Sequence, residues 1–401
     1  MSGSPKAAYD FFSDETRDDP FPLFERLRNE SPVYETDFGY WYVSRYDDVV
    51  ALLRDTRLTS GRGVPDSLGV TGGALREIMD RWMMALDGPQ HRRARNLISR
   101  AFTPRAIEAM RPAITAAAER LVDELAAAGG GDFIEQFAFP LPMDVTRQLF
   151  GVDSADWDHG VVAVFDPRRR SGDGWVADMY RLTEFLAEVV DRRHRTTSAA
   201  ESGLFAALRT PDEDGYVLTR DEQLANAVLL VTAGFETTMG LLANAVRTLL
   251  LHPDQLELLM ADWSRVSTAV DEVLRYEPPA LWTSRYATEA IDVAGTVIPE
   301  GSNILFSSVA ANRDPARYPT PDRFDITRTD IRPVTFGGGV HSCIGSTLAR
   351  VEVEIALAAV FQRLPSLQLE LPVCTQFQRD NPSVRMPESL AVSVERPTRA
   401  R

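Results

Sequence analysis

Phe336-Gly337-Gly338-Gly339-Val340-His341-Ser342-Cys343-Ile344-Gly345 is the stretch on which the fold turns, and an apolar-periodic segment, Ser346 to Leu364, follows it. Three consecutive glycines let the backbone fold tightly, so that its N–H groups can approach a bound anion. The spacing places Cys343 just ahead of a helix, where the dipole and unpaired N–H donors favour the thiolate. A thiolate held in a dry loop is a good soft ligand for a haem iron. Taken alone, a cysteine beside a glycine turn is more often simply buried. The rest of the chain must therefore agree with the stronger reading.

Composition narrows the field. The chain has 401 residues, a net charge of −15 and two cysteines, at 44% hydrophobic and 25% charged, which is ordinary globular composition. Two cysteines cannot make a disulfide framework. The acidic balance argues against nucleic-acid binding, which needs a basic surface. No apolar run approaches the length of a membrane span, and Met1 to Phe12 lacks the apolar core of a signal peptide. A soluble cytoplasmic enzyme is expected. Lys6 is the one lysine among 43 basic side chains, a bias that codon usage in a GC-rich genome would impose.

No repeat or linker divides the chain, so 1–401 reads as one domain, with residues 1–20 expected to be loosely ordered. The fold class is mainly α with a minor β-sheet. A helix is expected from Pro22 to Asn29 and short strands around Val33 and Trp41 to Val43. Ile107 to Ala128 is an amphipathic helix stopped by Gly129-Gly130-Gly131. Thr219 to His252 is the longest helix, opened by a capping box of Thr219 and Glu222 and closed at Pro253. Strand signals return at Ile291 to Val297, Asn303 to Ser307 and Leu390 to Val394.

Three further clusters carry chemistry. In Ala233-Gly234-Phe235-Glu236-Thr237-Thr238, polar residues interrupt the apolar middle of the long helix. A threonine there can bond its i−4 carbonyl and loosen the helix, leaving a groove for dioxygen or water. The bland alternative is a small-residue helix contact. Glu272 and Arg275 share a helix face and by themselves would be a solvated pair. His91 and Arg95, spaced i and i+4 after the turn Asp87-Gly88-Pro89-Gln90, point to one place.

Phe336, Gly337, Gly339, His341, Cys343 and Gly345 match every fixed position of the signature Phe-Gly-x-Gly-x-His-x-Cys-x-Gly. In this the chain resembles the cytochrome P450 family, soluble bacterial type, from residue 20 onward. The resemblance implies a haem-binding fold with a long central helix crossing the cofactor, haem b. It makes Cys343 the axial iron ligand, with Phe336 beside its sulfur. Thr237 then holds the activated oxygen and Glu236, where many members have Asp, relays protons. His91, Arg95, Arg285 and His341 become partners of the haem propionates. Glu272, Arg275 and, from Pro321-Asp322-Arg323-Phe324, Arg323 become a structural lock, approached by Asn312-Arg313-Asp314-Pro315. Cys374 has no such surroundings.

The same resemblance implies a monooxygenase that hydroxylates or epoxidises a small hydrophobic or aromatic substrate, free or carrier-bound, in secondary metabolism. A coupling or cyclising oxidase is the alternative. A non-enzymatic haem protein is disfavoured by Glu236 and Thr237. Electrons must come from a ferredoxin and its reductase, and the acid-free stretch holding Arg92, Arg93, Arg95, Arg100 and Arg105 suits an acidic partner. A monomer is expected. By analogy, the loop from Arg62 to Leu86 with Trp82, Met83 and Met84 roofs the haem. Leu229, Leu230, Ala233, Leu281, Trp282 and Thr283 line the pocket, and Arg168 to Arg170 lie in a lid.

Overall fold

The computed structural model describes residues 9–11, 13–61, 70, 72–165, 174–195, 203–374, 376–378, 381 and 383–394. Arg168 to Arg170 lie outside them, as do residues 62–69 of the roof loop. Seven helices frame the site: α1 (Gly88–Ser99), α2 (Pro104–Ala128), α3 (Pro140–Phe150), α4 (Gly174–Arg195), α5 (Arg220–Leu251), α6 (Val266–Tyr276) and α7 (Ser346–Arg363). Ten short strands accompany them. They are β1 (Val33–Glu35), β2 (Tyr40–Val43), β3 (Leu58–Thr59), β4 (Gly130–Asp132), β5 (Trp282–Ala287), β6 (Ile291–Val293), β7 (Thr296–Ile298), β8 (Asn303–Ser307), β9 (Leu367–Leu369) and β10 (Ala391–Val394).

The long helix α5 is the axis of the molecule. Its capping box forms as expected, with the Thr219 hydroxyl accepting from the Glu222 N–H and Glu222 accepting from the Thr219 N–H at 2.8 Å. Its 32 residues span about 48 Å at 1.5 Å per residue. One window of α5 is long and apolar enough to cross a membrane by length and composition alone. Yet 72% of that window is buried inside the protein. The apolar length is explained by packing, since α5 contacts α3, α4, α6 and α7.

The larger sheet has the order β1-β2-β8-β5-β3, with β2 and β8 parallel and the other pairs antiparallel. The second, β4-β10-β9, ties the end of α2 to the C-terminal strand. The three glycines after α2 do two jobs. Gly129 closes the helix at φ +81°, whereas Gly130 lies in β4 at φ +117°, where a Cβ would sit 2.2 Å from the Val392 carbonyl oxygen. The strand signal at Ile291 to Val297 resolves into the hairpin β6–β7.

The loose order expected of residues 1–20 falls partly outside the described residues, and from Tyr9 on the chain is packed. Tyr9 and Phe11 are buried, Phe11 stacks on Tyr42 at 4.3 Å, and Asp14–Asp18 is helical with Ser13 as its cap. Aromatic burial fixes this segment despite its polar flanks. The roof segment is not a continuous loop either, since Gly73–Met79 is helical.

Candidate active site

The cysteine loop is held from within and from outside. The Cys343 N–H donates to the Phe336 carbonyl at 2.9 Å, and the Gly337 N–H to that of Val334 at 2.8 Å. Gly339 sits at φ +66° with its Cα against the Leu53 carbonyl, which a Cβ would approach to 2.4 Å. From outside, Arg95 donates to the Ser342 carbonyl at 2.8 Å, and the Arg350 guanidinium lies 4.6 Å from the Phe336 ring centre. The Cys343 side chain is exposed where it opens onto a cavity. Burial pushes its thiol up, against the pull of the Gly345 and Ser346 N–H groups, Arg95 and Arg350. The donors at the helix terminus favour the thiolate, and desolvation opposes them.

That cavity has about 640 Å³ of empty space, part of it open to solvent. Leu230, Ala233, Gly234, Thr237 and Thr238 of α5 form one wall, and Phe336, Cys343 and Gly345 the facing one. The Thr237 hydroxyl donates to the Ala233 carbonyl at 2.9 Å and that of Thr238 to Gly234 at 2.8 Å, as expected of mid-helix threonines. The helix runs unbroken here. The groove comes from small residues, and a Cβ on Gly234 would meet nothing within 4 Å. Glu236 accepts a hydrogen bond from the Asn381 side-chain amide at 2.8 Å.

A cationic cluster lies beside the loop. His91 is buried, and its ring lies 4.1 Å from that of His341. Burial, with His341 and Arg95 nearby, lowers His91 to about 4, so it is neutral at pH 7. Its Nε2 is buried and has no hydrogen-bond partner among the described residues. His341 instead pairs through Nε2 with Asp87 at 3.0 Å. Burial alone would raise the Asp87 carboxyl, but hydrogen bonds from His341, Thr59 and Ser60 hold it at about 2. Arg285 is buried on β5, donates to the Ser284 carbonyl and the Thr283 hydroxyl, and is lowered by burial to about 10. Among the described residues no carboxylate bonds Arg95 or Arg285.

Glu272 and Arg275 are both fully buried and form a bidentate pair at 2.7 Å and 2.7 Å. The Arg275 guanidinium also bonds the carbonyls of Asn312, Pro321 and Arg323. Here the third member is corrected. Arg323 offers only its backbone, its side chain being 65% exposed, and the second arginine on Glu272 is Arg328, at 3.2 Å. Asn312 carries this rigidity to the cysteine loop, accepting from the Val334 N–H at 2.8 Å and donating to the Thr335 hydroxyl.

Several pocket expectations fail for stated reasons. Trp82 and Met83 are buried in the main core, where the Met83 N–H donates to Asn226 of α5, and Met84 is exposed. Leu229 turns into the core while Leu230 and Ala233 reach the cavity. Strand alternation puts Trp282 on the face opposite Arg285, so it lies against Tyr42 at 6.3 Å and, with Leu281, lines a different cavity. Cys374 is half-buried and far from any such cluster. Sequence reading missed Asp87 as a partner of His341, Arg328, Asn381 and Glu352. Glu352 lies in the cavity wall, and burial pushes its carboxyl up to about 8. Its i+4 spacing from Leu348 on α7 was the available signal.

A family model described as "Cytochrome P450" matches residues 172–389. The chain is 37% identical over 388 residues to a cytochrome P450 monooxygenase, PikC, of Streptomyces venezuelae, covering 93% of this chain and 91% of that protein. The chain belongs to the cytochrome P450 family. It is also 36% identical over 377 residues to the 6-deoxyerythronolide B hydroxylase of Saccharopolyspora erythraea, covering 90% of this chain and 92% of that one. The crystal structure of P450BioI in complex with an acyl carrier protein carrying hexadec-9Z-enoic acid superposes with a TM-score of 0.85 at 33% identity. That match covers 95% of this chain and all of the other.

P450 monooxygenases bind haem with a thiolate-ligated iron, and the residues of this site fit that group. Cys343 and Gly234 face one cavity of suitable breadth, bounded by apolar side chains. The unpartnered His91 Nε2 and the two arginines without carboxylates suit an anionic cofactor edge. Coordination would also deprotonate the thiol that burial keeps protonated.

Proposed function

We propose that this P450 inserts one atom of dioxygen into a small hydrophobic or aromatic substrate, using electrons from a ferredoxin and its reductase, in bacterial secondary metabolism. The observation that carries this reading is the cavity shared by Cys343 on one wall and Thr237 on the other. Cys343 would hold the haem iron through its sulfur with Phe336 beside it, while His91, Arg95 and Arg285 would hold the propionates. When bound, haem supplies the redox centre at which dioxygen is reduced.

The chain's own residues do the rest. The overall change is substrate C–H plus O₂, two electrons and two protons giving C–OH and water, so two protons must reach one oxygen atom. Thr237 presents its hydroxyl to the groove beside Gly234, and Glu236 takes protons from solvent and passes them inward. The apolar walls, Leu230, Val145 and Leu149 among them, exclude bulk water and select a hydrophobic substrate. The relatives' names support a natural-product substrate, and a carrier-bound acyl chain is the second form to try. A cytoplasmic, monomeric, one-domain enzyme suits this role.

Two measurements test the reading. The reduced, CO-treated protein should show the red-shifted Soret band of thiolate ligation, and Cys343→His should abolish it. A panel of macrolactones and long-chain fatty acids, scored by Soret shift, should identify a substrate. With that compound Thr237→Ala should consume reductant and release peroxide at the expense of product. An unchanged product yield in Thr237→Ala would refute the assignment of the groove.

A further inference from the structure

The Asn381 side-chain amide is one partner of Glu236. The Glu236 Oε2 accepts from the Asn381 side-chain N–H at 2.8 Å, across from the long helix α5 to the C-terminal segment. The orientation of that amide is fixed by a group with no choice of role. The Ser383 backbone N–H can only donate, and it donates to Asn381 Oδ1 at 3.0 Å, with the Ser383 hydroxyl adding a second bond at 2.7 Å. The NH₂ end must then face Glu236.

The segment bearing Asn381 is itself clamped. The Leu281 N–H donates to the Ser383 carbonyl at 3.0 Å, and the Arg385 N–H to that of Pro279 at 2.8 Å. The Asn244 side chain, two turns along α5 from Glu236, bonds the Arg385 carbonyl at 3.0 Å. The Arg385 guanidinium is buried between Glu277, the carbonyls of Arg17 and Asp18, and the Phe377 ring. Thus the amide is set at a fixed height on α5.

Asn381 also lines a second cavity, with Thr16, Arg17, Gln378 and Arg385, of about 440 Å³ of empty space that opens to solvent. The amide serves both forms of a relay acid: it donates to the carboxylate, and when the acid is protonated it still donates to the remaining carbonyl oxygen.

We propose that Asn381 is a positioning residue that holds Glu236 between the oxygen groove and this solvent-open cavity. The inference rests on the reading of Glu236 as the proton relay given above. Asn381 touches neither substrate nor cofactor in this account; it acts through Glu236.

The test uses the haem-loaded enzyme and the panel compound with the largest Soret shift. Asn381→Leu should lower product per reductant about three- to tenfold, the scale of one hydrogen bond. It should release peroxide and enlarge the solvent deuterium isotope effect, with substrate affinity within about twofold of wild type. Asn381→Asp places two carboxylates at hydrogen-bond distance, so one must stay protonated. Its coupling and its melting temperature should both fall more steeply than in wild type as pH rises from about 5 to 8. In the double variant Glu236→Gln/Asn381→Asp the pair is reversed, and the melting profile should return to the wild-type slope. If Asn381→Leu and Asn381→Asp match wild type in coupling and pH profile while Glu236→Gln uncouples, Asn381 does not position the acid. If Glu236→Gln itself couples normally, the relay reading fails first.

Discussion

Replacing Glu272 with Gln should separate the arginine that braces the fold from the one that merely lies near it. The substitution keeps the shape of the side chain and removes its charge, so Arg275, fully buried, loses its only carboxylate among the described residues. Breaking one partner of a buried pair costs about 3–5 kcal/mol. The three carbonyls around Arg275 hold the cost toward the lower end. With an unfolding entropy of about 2.1 cal/mol/K per residue, the 401 residues give about 0.84 kcal/mol/K. The melting temperature should therefore fall by about 4–6 °C. Arg328→Ala removes a hydrogen bond to that carboxylate, worth about 1.5–3 kcal/mol or about 2–4 °C. Arg323→Ala touches an exposed side chain and should shift melting by less than about 1 °C. Calorimetry on the three variants at matched haem content reads the difference. The reasoning is wrong if Arg323→Ala costs as much as Arg328→Ala, or if Glu272→Gln melts within a degree of wild type.

Other consequences are as direct. His91 has its folded-state pKa depressed to about 4, so its contribution is whole above the unfolded value of about 6.5 and lost as pH falls toward 4. Melting of the haem-free protein should therefore rise between those pH values, and His91→Gln should flatten the rise. An NMR titration of the His91 ring should show its pKa climbing once haem is loaded. Gly339→Ala would force a Cβ against the Leu53 carbonyl at positive φ and should lose the thiolate CO spectrum. Gly337→Ala, at the same φ but with open space around it, should cost about 1–3 kcal/mol in backbone strain and keep the spectrum. Arg92 and Arg93 are exposed on α1, and reversing both to Glu should slow reduction by ferredoxin while leaving the substrate Soret titration unchanged. Equal reduction rates would remove α1 from the docking surface.

Much of this was legible because strong local signals coincide with the elements they specify. The capping box at Thr219 starts α5 within a residue of where it was expected, and the glycine loop is shaped by contacts that only glycine permits. What could not be read is what depends on the partner strand or the far end of the chain. Arg323 and Arg328 lie five residues apart in an irregular segment, and nothing local says which one turns inward. Trp282 reads as a pocket residue until the register of β5 against β8 fixes its face. Asn381 and Glu236 are separated by 145 residues, so no pattern links them. Asp87 was taken for a turn residue because its partner, His341, lies 254 positions away.

The glycine-rich strand β4 waits for β10, which follows it only after α3 to α7 have been made. During synthesis, then, α2 through α7 emerge while β4 is still an open edge and the segment that meets α5 at Glu236 and Asn244 has not left the ribosome. Closing such distant contacts is slow relative to helix formation. The contacts at Glu236 and Asn244 consequently join elements made far apart in time, so they form after the helix they brace.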